Sequence, residues 1–149
     1  CVCSPGNVQN YLNRISGPLM DRIDLHVEVT PVAFDDLSTK SSGESSNKIR
    51  PRVIIARNIQ KERFEKAGNI YCNSQMSSKD IANYCMLNSN GKALLKLAME
   101  KLNLSARAYD RIIKVSRTIA DLGASKDIKN DHLAEAIQYR SLDRDNWGS

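Results

Sequence analysis

The spacing of apolar side chains changes twice along the chain, and each change predicts a different element. Val8, Tyr11, Leu12 and Ile15 recur at helical intervals, predicting about one and a half turns of helix. Ser16-Gly17-Pro18 follows, and its Gly-Pro pair is expected to stop that helix. Ile23, Leu25, Val27 and Val29 then alternate with Asp24, His26, Glu28 and Thr30. Period two reads as a half-buried strand of about seven residues, closed by Pro31.

From Thr30 to Asn47 the pattern lapses into Ser, Thr, Gly and Asp, which reads as a linker or long loop. Five helices are predicted beyond it. The first spans about Arg50–Lys66, with Pro51 at its first position. The second follows Ser77, with Asp80 three residues later as a capping-box start. The third covers about Gly91–Leu102. The fourth opens at the N-cap Ser105 and runs to Leu122 before Gly123. The fifth begins near Asn130 and carries Leu133, Ala136 and Ile137. In the fourth, Tyr109, Ile112, Ile113, Ser116, Ile119 and Ala120 make the expected buried face. The fold class is therefore mainly α: a helical bundle, preceded by a helix and strand too small to form a core alone.

Composition narrows the possibilities. At 149 residues, 41% hydrophobic and 26% charged, the chain suits one ordinary domain and excludes extensive disorder. Seven Gly and four Pro exclude collagen-like or low-complexity fibres. No run approaches the ~18 apolar residues of a membrane span, so a soluble protein without membrane partners is expected. Aromatics at 5% disfavour stacking on bases or sugars. The 22 basic and 17 acidic residues give +5 and a pI near 9.1, a balance compatible with nucleic acid or nucleotide phosphates and equally with a plain basic surface. Cys1 rather than Met opens the chain, with no leader ahead of it, so a piece of something longer is expected. Four cysteines, at positions 1, 3, 72 and 85, do not make a disulfide scaffold, and a reducing cytoplasm fits better.

Arg107, Arg111 and Lys114 form a cationic row on the fourth helix. A solvated face is the ordinary reading for Arg111 and Lys114. Arg107 differs, because a cation in the first turn opposes the positive end of the helix dipole, and a helix N-terminus favours phosphate.

Three stretches together carry more than pattern. Residues 14–25 read Arg-Ile-Ser-Gly-Pro-Leu-Met-Asp-Arg-Ile-Asp-Leu, residues 105–122 read Ser-Ala-Arg-Ala-Tyr-Asp-Arg-Ile-Ile-Lys-Val-Ser-Arg-Thr-Ile-Ala-Asp-Leu, and residues 132–140 read His-Leu-Ala-Glu-Ala-Ile-Gln-Tyr-Arg. In this order they resemble the C-terminal part of the magnesium-chelatase-like AAA+ ATPases, in particular the bacterial ComM/YifB group. The resemblance implies a C-terminal remnant of the α/β ATPase core at 1–30, a Ser-rich linker at 31–49, an all-helical lid at 50–140 and a tail at 141–149. The phosphate-binding string G-x-x-x-x-G-K-[ST] does not occur here. The resemblance therefore implies a full-length ATPase using ATP and Mg, while this stretch alone is expected to be inactive and to bind neither.

Two arginines match family positions. Arg107, in Ser-Ala-Arg, matches the sensor-2 position that reports on the γ-phosphate. Arg22, in Leu-Met-Asp-Arg-Ile-Asp, matches the arginine finger of relatives, the alternative being a salt bridge with Asp21 or Asp24. Arginine suits both tasks because its fork stays charged and meets two phosphate oxygens. Arg14, eight residues before Arg22, is a possible member of the same interface. His26 is expected to be a surface or packing residue. Family members often carry a Cys-x-Cys pair where Cys1 and Cys3 stand, with another pair upstream that would complete a zinc site. Only one pair is here, so no metal is expected, and Cys72 and Cys85 read as packing residues.

The function implied is the lid of a homo-hexameric ring ATPase that remodels DNA in recombination or natural transformation, this piece alone being monomeric. Two alternatives stand beside it: a free-standing basic helical module that binds nucleic acid, and the lid of a protein-remodelling or metal-chelatase motor.

Overall fold

A computed structural model describes residues 3–12, 14–29, 31 and 43–140. Most of the Ser-rich linker, Cys1 and the tail lie outside the described residues. Every regular element among the described residues is helical: α1 (Pro5–Leu12), α2 (Gly17–Met20), α3 (Ser46–Phe64), a 3-10 turn (Asn73–Gln75), α4 (Ser78–Tyr84), α5 (Ser89–Lys101), α6 (Ala106–Leu122) and α7 (Asn130–Gln138).

The amphipathic α6 is the centre of the bundle. It packs against α3, α4, the 3-10 turn and α7, and α5 closes on α7. Phe64, Met76, Ile81, Cys85, Leu95, Ile112, Ile113, Ala120, Ile128, Leu133 and Ala136 form the core. Fully burying a side chain such as Ile112 or Leu133 stabilises by about 1.5–3 kcal/mol.

Cap chemistry sets the helix starts. Ser105 Oγ accepts from Ala108 N at 3.2 Å at the head of α6, and Asn88 Oδ1 accepts from Gly91 N at 2.7 Å at the head of α5. Ser77 and Asp80 form a reciprocal capping box on α4. A Cβ at Gly91 would stand 3.2 Å from the Asn88 oxygen that makes the cap, so a larger residue there would require that side chain to give by a few tenths of an ångström. At the end of α6 the left-handed residue is Ala124 (φ 48°), one position past Gly123. Ser125 N donates to Ala120 O and Ala124 N to Asp121 O, the Schellman pattern built on a residue other than glycine.

Several elements differ from expectation. Residues 23–29 form no strand. A strand is held by ladder bonds to a neighbour, and no strand partner exists among the described residues. The segment instead lies against α7, where His26 N donates to Tyr139 O at 2.8 Å, leaving Val27 65% and Val29 86% exposed. The first helix ends at Leu12, and Gly17-Pro18 opens α2 rather than only stopping α1. α3 starts at Ser46, so Pro51 lies inside it rather than at its first position. The exposed first turns leave water to satisfy the carbonyl that Pro51 cannot serve. Tyr109 is 40% exposed, and the buried face of α6 is Ala108, Ile112, Ile113, Ser116, Arg117, Ala120 and Asp121.

Candidate functional site

The arginines singled out in the sequence sit on two elements joined by ion pairs. α6 carries the cationic row, and the expected solvated face is only partly found. Arg111 donates to Asp24 Oδ1 at 2.6 Å, and Lys114 donates to the carbonyl of Ser74 at 3.0 Å. Arg107, in the first turn, is exposed and its side chain engages no partner among the described residues. Its guanidinium stands at the positive end of the α6 dipole with no acid in the first turn, an arrangement that improves when an anion binds.

Arg22 follows α2. Its guanidinium donates to the carbonyl of Pro18 at 2.9 Å and is otherwise exposed. The salt bridge weighed for it with Asp21 or Asp24 does not form, because other cations hold those carboxylates. Asp24 is held by Arg111, and Asp21 lies 4.0 Å from the buried Arg140. Arg14 is exposed as well. The structure thus ties the segment bearing Arg22 to the helix bearing Arg107 through one pair, Asp24–Arg111, two residues from the first and one turn from the second.

Arg140 reinforces that tie. It is 1% exposed, donates to the carbonyl of Ile23, and reaches the carbonyl of Met20 at 3.4 Å. His26, for which a surface or a packing place was expected, is buried, and its backbone N–H donates to Tyr139 O.

The sequence reading missed a second cluster. Asp121, fully buried, accepts from both terminal nitrogens of Arg63, from Arg117 Nε at 3.1 Å and from Asn73 Nδ2 at 2.8 Å. Arg117 also donates to the carbonyls of Ser125 and Lys126. Burial pulls the Arg117 guanidinium below its ordinary pKa, and Asp121 opposes that pull. The signal was present: Arg117 and Asp121 stand four apart on an otherwise apolar helix face. Arg63 and Asn73 carried no such periodic mark. The cluster binds α3, the 3-10 turn and α6 together.

Cys85 is buried, its Sγ 3.9 Å from Met76 Sδ, and burial pushes its thiol up to about 11. Half-burial pushes the Cys72 thiol up, but hydrogen bonds with Ser74 and Arg57 together bring it below its ordinary value. Cys3 is exposed. Among the described residues no three His, Cys, Asp or Glu side chains converge on a metal position, and no helix is long and apolar enough to cross a membrane.

Two family patterns match the chain: "Magnesium chelatase, subunit ChlI C-terminal" over residues 43–140 and "Magnesium chelatase, subunit ChlI" over residues 1–37. Competence protein ComM of Haemophilus influenzae is 46% identical over 142 residues, 95% of this chain and 27% of that protein. Proteins called YifB in Escherichia coli and Salmonella typhimurium are 40% and 39% identical, again over 95% of this chain and 27% of each relative. The chain thus spans about a quarter of the length of these relatives. With an all-helical bundle under the C-terminal pattern and the three quoted stretches in place, the chain belongs to the magnesium chelatase subunit ChlI family and resembles its ComM and YifB members.

Proposed function

We propose that this chain supplies the lid, and a short adjoining piece of the core, of a ring-forming AAA+ ATPase acting on DNA in the cytoplasm. Arg107 is the sensor that meets the γ-phosphate and draws the lid toward the nucleotide. Arg22 is the finger that reaches the γ-phosphate held by a neighbouring subunit, and Arg14 borders the same interface. The observation that carries this reading is that Arg22 and Arg107 both stay exposed and without an acidic partner, while nearby cations are engaged by Asp24 and Asp21. Two guanidinium groups held this way suit phosphate oxygens. The chain's residues fit that edge of ATP alone. The carboxylates beside Arg22 are turned to Arg111 and Arg140, so a Mg ion would take its ligands from elsewhere in the full-length protein. When bound, Mg-ATP would supply the phosphoryl group; the task of this chain is to place positive charge where negative charge spreads in the transition state. DNA as the substrate follows the resemblance to the ComM group.

Mixing full-length wild type with Arg22→Ala at varying ratios tests this reading. A finger supplied in trans can be worth about 10³–10⁵ in rate, so the variant should bind ATP nearly normally yet poison wild-type activity beyond dilution. Activity that scales with the wild-type fraction would overturn the shared site. Unchanged nucleotide-dependent protection of the lid in Arg107→Ala would overturn the sensor assignment.

A further inference from the structure

The positive charge of this chain is concentrated in one place. From Ser46 to Lys61, nearly the whole of α3, the charged residues are Lys48, Arg50, Arg52, Arg57 and Lys61, with no acid among them. Taking these five from the 22 basic residues leaves 17, against 17 acidic residues. The formal excess of +5 therefore resides on this stretch, and the remainder of the chain is balanced.

All five side chains are exposed. Arg52 is drawn off by a bidentate pair with Glu44 at 2.9 and 2.6 Å. Arg57 keeps a weak bond to Gln60 at 3.3 Å and a hydrogen bond to the Cys72 thiol. Arg50 and Lys61 engage no partner among the described residues. At 100° per residue, positions 50, 57 and 61 fall within about 40° of one another, on a line to one side of the face buried through Ala56, Gln60 and Phe64. The line is about 16 Å long, roughly the axial length of five base pairs of duplex DNA. Glu44 stands before the line and pairs with Arg52, and Glu62 and Glu65 flank its far end, beside Arg57 and Lys61. The row on α6 offers no such surface, since Arg111 and Lys114 are held by Asp24 and Ser74.

We infer that the Arg50–Arg57–Lys61 stripe of α3 is a sequence-independent contact for the phosphate backbone of duplex DNA. The stretch 46–61 itself holds no aromatic ring; exposed Tyr71 lines the cavity beside Arg57 and Lys61, but a single ring falls short of the successive stacking platforms that grip unpaired bases. The duplex presents the denser phosphate charge, about one per 1.7 Å. This deepens the DNA reading above by naming its surface, and it requires nothing of Arg22 or Arg107.

Fluorescence anisotropy of a labelled mixed-sequence 30-base-pair duplex, titrated with the 149-residue chain at several salt concentrations, tests the inference. Each phosphate contact contributes about 0.9 to the slope of log affinity against log salt. Arg50→Ala/Arg57→Ala/Lys61→Ala should lower that slope by about 2–3 and weaken binding at least tenfold at low salt. The charge-keeping variant Arg50→Lys/Arg57→Lys/Lys61→Arg should bind like the wild type, as should Lys92→Ala/Lys96→Ala on α5. Absent or salt-insensitive binding by the wild type, binding unchanged in the triple alanine variant, or equal loss in the charge-keeping variant would each overturn the proposal. The ATPase mixing experiment reads a different set of residues, so either reading can fail while the other stands.

Discussion

Asp121 shows how much one side chain can fix when it is fully enclosed. Its two oxygens take four hydrogen bonds from Arg63, Arg117 and Asn73, so three separate parts of the chain meet at one carboxylate. Replacing it by the isosteric, neutral Asn leaves two guanidinium groups at a site with little water to solvate them. Breaking a buried pair by removing one partner costs about 3–5 kcal/mol, and Asp121→Asn is expected to lower stability by that order in urea unfolding. Asp24→Asn removes the partner of Arg111 at a half-exposed position, where such pairs contribute at most about 1 kcal/mol. Equal losses in the two variants would refute the ranking. The pair Arg117–Asp121 was visible as an i, i+4 spacing, yet a face otherwise made of Ile, Ala and Ser gave no reason to place charges inside. Burial of charge depends on partners distant in sequence: Arg63 lies 58 residues from Asp121.

The helices with chemical start signals are the elements that sequence located best. Ser77 and Ser105, the starts read from the sequence, carry side-chain oxygens that accept from the first turn, a local interaction that needs no tertiary partner; Asn88 does the same for α5, which begins at Ser89 rather than at the expected Gly91. The strand expected at 23–29 failed for the converse reason: alternation records which faces are apolar, while pairing depends on a neighbour. Arg107 was marked by its first-turn place in the cationic row of α6, though its role, like that of Arg22, was read from family motifs. The cap of α4 also gives a pH dependence. Hydrogen bonds from the Ser77 hydroxyl and backbone N–H hold the Asp80 carboxyl below its ordinary pKa. A depressed folded-state pKa means the stabilisation is fully present above the unfolded value, about 3.9, and is lost as pH falls through the folded one. Wild type should therefore melt above Asp80→Ala at pH 7, with the gap narrowing as pH drops below about 4. A gap that stays constant to pH 2 would mean the carboxylate charge plays no part in the cap.

At the scale of the whole molecule, no described residue before α3 is among the buried hydrophobic residues of the core, so the segment bearing Arg22 is fastened to the bundle chiefly by polar contacts. Arg140 holds the carbonyls of Ile23 and Met20, His26 N meets Tyr139 O, and Asp24 meets Arg111. Such a segment can open without unfolding the bundle, because few apolar contacts are lost when it leaves. A joint of this kind would suit the lid movement proposed for Arg107. Arg140→Ala removes the most buried of these ties. Hydrogen exchange should then show the His26 amide losing protection while the amides of α6 keep theirs, since Ile112, Ile113 and Ala120 remain packed. Loss of protection spread equally over α6 would show that segment and bundle form one cooperative unit, leaving Arg22 no hinge of its own.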